Sequence, residues 1–224
     1  MKKGVLFCIL IIGVVILNTQ CLATSLTIDG SDVTEGRVHN DGSAFGPPLI
    51  VRADHPTAYR TVLKFSLDDL IGISSSNIVS ATLRLSVRSG ALSNPGLLEI
   101  HNLTDSNENN SIASGDFSAL DGLASPALDT TGIQILDIIE FTLTTSIIQD
   151  MDDVNNYAGF ILKWQDESVT APNNLDLWFW DQTSDASKAP EILVEYSTVT
   201  IPEPLSLILL GLGSIGLIFR KKRK

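Results

Sequence analysis

The chain has 224 residues and an acidic balance, 15 Lys plus Arg against 26 Asp plus Glu, for a formal charge of −11. Seven of the cations lie within the first three and last five positions, so residues 24–200 carry 8 basic against 25 acidic side chains, a net of −17. A surface of that sign repels phosphate backbones, which argues against nucleic acid as a partner and leaves cations and cationic or neutral molecules.

Lys2 and Lys3 precede an apolar run of 14 residues, Gly4 to Leu17. That is short for a membrane span of about 20 residues and has the make-up of a signal-peptide core. A polar stretch, Asn18 to Gln20, leads to Cys21-Leu22-Ala23. Small residues one and three positions before Thr24 suit signal peptidase, so residues 1–23 read as a signal peptide cleaved after Ala23. The rival is a lipoprotein acylated on Cys21, which calls for a small residue before the cysteine, and Gln20 stands there. Cys8 and Cys21 both fall inside this segment, so the mature chain holds no thiol, no disulfide and no cysteine-bound metal. Stability then rests on an apolar core, and residues 24–199 suffice for one domain that buries roughly 70% of its unfolded surface.

Strand signals dominate that domain. Ser25 to Asp29 and Thr61 to Leu67 come first, then the clearest half-buried strand, in which Ala81, Leu83, Leu85 and Val87 alternate with Thr82, Arg84, Ser86 and Arg88. Leu97 to Asn102, Leu136 to Leu143, Gly159 to Trp164, Leu175 to Asp181 and Glu191 to Tyr196 follow. Only Thr144 to Val154 has helical spacing, with Ile147, Ile148 and Met151 on one side and Asp150, Asp152 and Asp153 on the wetter side. About eight strands joined by Gly, Pro, Asn and Asp predict an all-β fold, a jelly-roll β-sandwich with one short helix.

Residues 200–224 form a third segment: Ile201-Pro202-Glu203-Pro204, an uncharged apolar run from Leu205 to Phe219, and the cluster Arg220-Lys221-Lys222-Arg223-Lys224. An apolar helix followed by cations inserts with the cations on the cytoplasmic side, so this segment predicts a transmembrane helix with the domain outside. Fifteen residues at 1.5 Å each span about 22 Å, less than the roughly 30 Å hydrocarbon core, which makes a marginal anchor suited to temporary retention. Gly211-Leu212-Gly213-Ser214-Ile215-Gly216 satisfies the dinucleotide-binding pattern, but inside this helix the glycines read as small faces for close membrane-helix approach. The box, the Gly-interrupted helix and the basic cluster resemble the PEP-CTERM sorting tail. That resemblance implies processing by an exosortase, a membrane cysteine protease of bacteria that make exopolysaccharide. The plainer alternative is an ordinary single-span anchor.

Three stretches of the domain carry a second resemblance: Leu63-Lys64-Phe65-Ser66-Leu67 before Ile78-Val79-Ser80-Ala81-Thr82-Leu83-Arg84-Leu85, a helix leading into Tyr157-Ala158-Gly159-Phe160-Ile161-Leu162, and Lys188-Ala189-Pro190-Glu191-Ile192-Leu193-Val194-Glu195-Tyr196. Together they resemble the DNRLRE domain, a jelly-roll module of bacterial surface proteins related to carbohydrate-binding module family 96. The resemblance implies a polysaccharide-binding or scaffolding role without catalysis.

No residue stands out as catalytic. His39, His55 and His101 are scattered, with no spacing that puts two imidazoles on one metal, and no G-x-S-x-G turn is present. A polysaccharide hydrolase or lyase remains the alternative, since it needs only two carboxylates about 5 to 10 Å apart. The most suggestive cluster is Asp176-Leu177-Trp178-Phe179-Trp180-Asp181. Alternation sends Leu177 and Phe179 to one face and Trp178 and Trp180 to the other, where two indoles could stack on sugar rings while Asp176 and Asp181 accept hydroxyl hydrogen bonds. The alternative is that the tryptophans cover a second buried layer. Asp150, Asp152 and Asp153 are oxygen donors of the kind calcium takes, without the glycine and distal glutamate of an EF-hand loop.

The expectation is therefore an exported protein that meets signal peptidase and then an exosortase. It is held transiently in the inner membrane and then placed at the cell surface or in the extracellular matrix. There its domain would bind or organise exopolysaccharide, with no cofactor beyond a structural calcium ion.

Overall fold

The structure is a computed structural model and describes residues 21–199 apart from 30, 31, 91–93, 171 and 174. The expected signal helix, Pro202, Glu203, Pro204, the apolar helix after them, and Arg220, Lys221, Lys222 and Arg223 lie outside the described residues. Residues Ser25–Tyr196 form one compact unit.

In chain order the strands are β1 (Cys21–Ile28), β2 (Val33–His39), β3 (Ala44–Phe45), β4 (Leu49–Asp54), β5 (Thr57–Ser66), β6 (Ile78–Gly90), β7 (Leu97–Leu103), β8 (Leu120–Asp129) and β9 (Ile138–Thr142). Helix α1 (Thr144–Asp152) follows, then β10 (Tyr157–Trp164), β11 (Leu175–Phe179) and β12 (Glu191–Val199). Ala23 lies within β1, so a cut after it leaves Thr24–Ile28 of that strand. Neighbouring strands run β1-β12-β6-β11-β4-β5-β10-β7-β8, with β2 beside β5 and carrying β3, and β9 beside β6. The fold is all-β, one curled antiparallel sheet.

Strand β6 makes the curl. Thr82–Ser86 pairs with β9 and Ile78–Arg84 with β12, whereas Val87–Gly90 pairs with β11. A 13-residue strand thus passes from one set of neighbours to another. Its alternating residues Leu83, Leu85 and Val87 are fully buried. They share one core with Leu63 and Phe65 of β5, Phe160, Leu162 and Trp164 of β10, and Leu177 and Phe179 of β11. Trp164 satisfies its indole N–H by donating to the Val51 carbonyl at 3.1 Å.

A second, smaller core sits on the other face of β5 and β10, from Val38, Val62, Leu103, Ala119 and Ile161. Residues 104–119 cover it, anchored by ion pairs rather than apolar contact alone. Lys64 reaches Asp116 at 2.9 Å, both side chains fully buried, and donates to the Ser111 carbonyl at 2.6 Å. Arg60 pairs with both Glu167 oxygens, donates to the Phe117 carbonyl, and lies 3.9 Å from the Phe117 ring centre. Gly159 lets this cover approach, since a Cβ there would come within 2.6 Å of Leu103 and 3.1 Å of Glu108.

Helix α1 ends at Asp152, before the expected Val154, which sits at φ +59°. Ile147 is buried and Ile148 and Met151 pack on the core. Asp150, expected on the wet side, is buried, because the helix packs against β6, β10 and the turn Ser75–Asn77. Likewise β9 starts at Ile138 rather than Leu136, whose φ of +75° is incompatible with a strand.

Many short loops close in one way: an Asp or Asn oxygen accepts from the backbone of the Ser or Thr two residues on, as in Asp41 to Ser43, Asn109 to Ser111, Asp129 to Thr131, Asp166 to Ser168, Asp181 to Thr183 and Asp185 to Ser187. Such Asx turns give the backbone its hydrogen bond without a sheet partner.

Candidate functional site

Strand β11 alternates as its sequence requires, with Leu175, Leu177 and Phe179 buried and Asp176 and Trp178 half-buried on the opposite side. Trp178 lies in register with Ile50 of β4 and Ser89 of β6. Its indole N–H donates to Asp176 Oδ1 at 2.9 Å, and Arg52 Nη2 binds Asp176 Oδ2 at 2.7 Å. Arg52 in turn lies 5.9 Å from the Tyr59 ring, which packs against His39 at 4.6 Å. Register explains the chain of contacts, since His39 faces Tyr59, Tyr59 faces Arg52 and Arg52 faces Asp176 across three strand pairs. Both Asp176 oxygens are therefore engaged in orienting Trp178 and Arg52.

Trp180 follows a different course. The strand ends at Phe179, and Trp180 donates its backbone N–H to the Ser86 carbonyl at 3.0 Å. A β-bulge opposite, where Trp178 faces Ser89 but Phe179 faces Val87, leaves Arg88 as the extra residue and re-aims it. Arg88 lies 5.0 Å from the Trp180 ring centre and Lys188 Nζ 4.6 Å. The two indoles thus do different things: Trp178 offers a ring fixed through its N–H, while two cations lie against Trp180.

Asp181, expected as a sugar hydroxyl acceptor, has 0% exposure and holds the loop together. It accepts from the backbone and hydroxyls of Thr183 and Ser184, with Arg88 at 3.6 Å. Burial pushes this carboxyl up, and the Thr183 and Ser184 hydrogen bonds outweigh it, leaving the group below its usual range.

Glu35 on β2, which no sequence signal singled out, sits beside it with 9% exposure. Its Oε1 accepts the Gln182 N–H at 2.6 Å and its Oε2 has no partner among the described residues. Burial raises Glu35 to about 7 against that hydrogen bond, and the Asp181 charge adds to the rise. Two carboxyls with pKa values pushed apart are the usual pattern of an acid and base pair. Here both are closed over by the loop after β11.

The three aspartates near α1 do not converge. Asp150 is buried, Asp152 accepts from Ser75 at 2.5 Å, and Asp153 caps the helix end. Among the described residues no three His, Cys, Asp or Glu side chains form a metal-holding group. His39 pairs with Asp41 at 2.7 Å and His101 with Glu99 at 3.0 Å, on separate parts of the sheet.

Outside the domain, the box, apolar run and cations of the last segment have a recognised counterpart. Residues 200–224 match the PEP-CTERM protein-sorting motif. The motif marks an exported protein that an exosortase sorts through a membrane-anchored signal. No curated protein matches the chain. Among the described residues no helix is long and apolar enough to cross a membrane.

Proposed function

We propose that this exosortase-sorted protein is a surface or matrix module that binds or organises polysaccharide and does no chemistry on it. The observation that carries the reading is Trp178. Its side chain is only partly buried, and its N–H, Asp176 and Arg52 form a hydrogen-bonded set that orients it before any ligand arrives. A rigid aromatic face loses little freedom on stacking against the apolar face of a sugar, which favours affinity. The resemblance of the strands to the DNRLRE jelly-roll module of bacterial surface proteins, and sorting in bacteria that make exopolysaccharide, both support a glycan ligand.

The rival is a hydrolase or lyase, and Glu35 with Asp181 is the pair it would use. Their burial under residues 180–185 favours a structural role, since a substrate reaches neither carboxyl unless that loop opens. Glycan-array binding together with a reducing-sugar release assay on the protein tests both readings. Binding without release, and a loss of about 1 to 3 kcal/mol of binding in Trp178→Ala, is expected. Sugar release abolished by Glu35→Gln would replace the proposal with the enzyme.

A further inference from the structure

The loops at one end of the sheet border an open cavity of about 350 Å³ between the start of β7 and the segment joining β10 to β11. That volume falls within the range of small-molecule sites. Leu97, Val169 and Leu175 supply aliphatic lining, and Gln165, Asp166 and Asn173 supply polar atoms.

Two of these polar side chains, Gln165 and Asp166, are held by hydrogen bonds. Gln165 donates its backbone N–H to the Leu97 carbonyl at 2.9 Å and its Nε2 to Glu99 Oε1 at 3.1 Å, so Oε1 is the side-chain atom left to accept. Glu99 is itself held by Lys163 and His101, each at 3.0 Å, which fixes the amide from behind. Asp166 Oδ1 accepts the Ser168 N–H and hydroxyl at 2.9 and 2.6 Å, and Oδ2 accepts from no described residue.

The chemistry of this lining is selective. Gln165 Oε1 and Asp166 Oδ2 are acceptors, so a ligand that brings O–H donors is favoured. Among the described residues no Lys, Arg or His lines the cavity, so an anion finds no partner charge there. One carboxylate is far short of the six to eight oxygens that calcium takes. An aliphatic floor beneath oriented acceptors fits the two faces of a neutral sugar ring.

We propose that this cavity is a second subsite for a neutral sugar residue. The inference rests on the polysaccharide-binding reading and adds to it a place and a charge preference. Leu175 stands three residues before Trp178 on β11, about 10 Å along the strand and on its opposite face, so the cavity and the indole are separate contacts carried by one strand.

Calorimetric titration of the full chain with cellotetraose, maltotetraose and mannotetraose, and with a tetrameric uronate as the charged counterpart, tests this. The wild type is expected to bind a neutral probe in preference to the uronate. The double variant Gln165→Leu with Asn173→Leu should weaken that binding about tenfold, the scale of one or two lost hydrogen bonds, at an unchanged melting temperature. If the double variant melts early, Asn173→Ala alone is expected to weaken binding in the same direction. Unchanged affinity in these variants, with loss in Trp178→Ala, overturns the subsite and leaves the Trp178 reading standing. Loss in these variants with Trp178→Ala unaffected supports the subsite and overturns the Trp178 reading. Preference for the uronate, or no binding of any neutral probe, overturns the subsite outright.

Discussion

The Glu35 carboxyl accepts the Gln182 backbone N–H at 2.6 Å, tying β2 to the loop after β11 across 147 positions of sequence. Because burial lifts Glu35 to about 7 from 4.5, the folded state holds its proton more tightly than the unfolded state. The stability this contributes is fully present below pH 4.5 and is lost as pH rises through 7. Glu35→Gln keeps an acceptor for Gln182 and removes the titration. The variant should match the wild type at pH 4.5 and exceed it by roughly 3 kcal/mol at pH 8.5, read from denaturant unfolding at the two pH values. Parallel pH profiles for the two proteins would show that Glu35 stays ionised in the fold.

The fully buried Lys64 and Asp116 set a different test. Removing one partner strands the other charge, so Lys64→Met should cost about 3 to 5 kcal/mol. Adding Asp116→Asn removes the stranded charge while keeping an acceptor for Ala113 or Asn107, and should restore a large part of that loss. Unfolding midpoints of the two single variants and the double variant measure the coupling. Additive losses would mean that the pair is screened by water.

Trp180 and Trp178 should part company under mutation. With Arg88 and Lys188 against its ring and its indole nitrogen buried, Trp180 acts in the fold. Trp180→Ala is expected to cost about 2 to 3 kcal/mol of stability through lost packing and two lost cation–π contacts. Its glycan affinity, measured below its melting point, should stay at the wild-type level. Equal losses of affinity in both tryptophan variants would restore the two-ring platform.

For the sorting motif, changing Pro202, Glu203 and Pro204 together to Ala should leave export intact and trap the protein in the inner membrane, because the apolar run and the cations remain. Fractionation of cells and medium reads the outcome. Release equal to wild type would show that the Pro-Glu-Pro box is not what the exosortase reads.

Eight strands were legible because their residues alternate or form β-branched runs, as in Ala81 to Arg88. Four were not, each for a local reason. Gly36 interrupts β2, the two residues of β3 are too few to carry a period, and β4 reads as a short apolar run behind Pro47-Pro48. Strand β8 is an end strand with Pro126 inside it and repeated register shifts against β7, so its pattern never settles. The site was legible in the same degree. Alternation placed Trp178 on the outer side of β11, but it also implied that Trp180 stands beside it, and periodicity cannot see a strand end or the bulge that brings Arg88 across. Asp181 and Glu35 were beyond reach, since a carboxylate that faces inward looks in sequence like one that faces water.

The Asx turns bear on where the protein works. Each is made by residues that are already neighbours in the chain, so it needs neither a distant partner nor an oxidant to form. Hydrogen bonds from the neighbouring hydroxyl and backbone hold several of these carboxylates below their usual range, Asp41 at about 2, so the turns keep their acceptors charged across ordinary acidity. A secreted domain of this size often fastens its loops with cystine, which a change in redox conditions can undo. This chain, with both cysteines ahead of residue 24, fastens them with carboxylates, so its loops answer to acid and not to reductant.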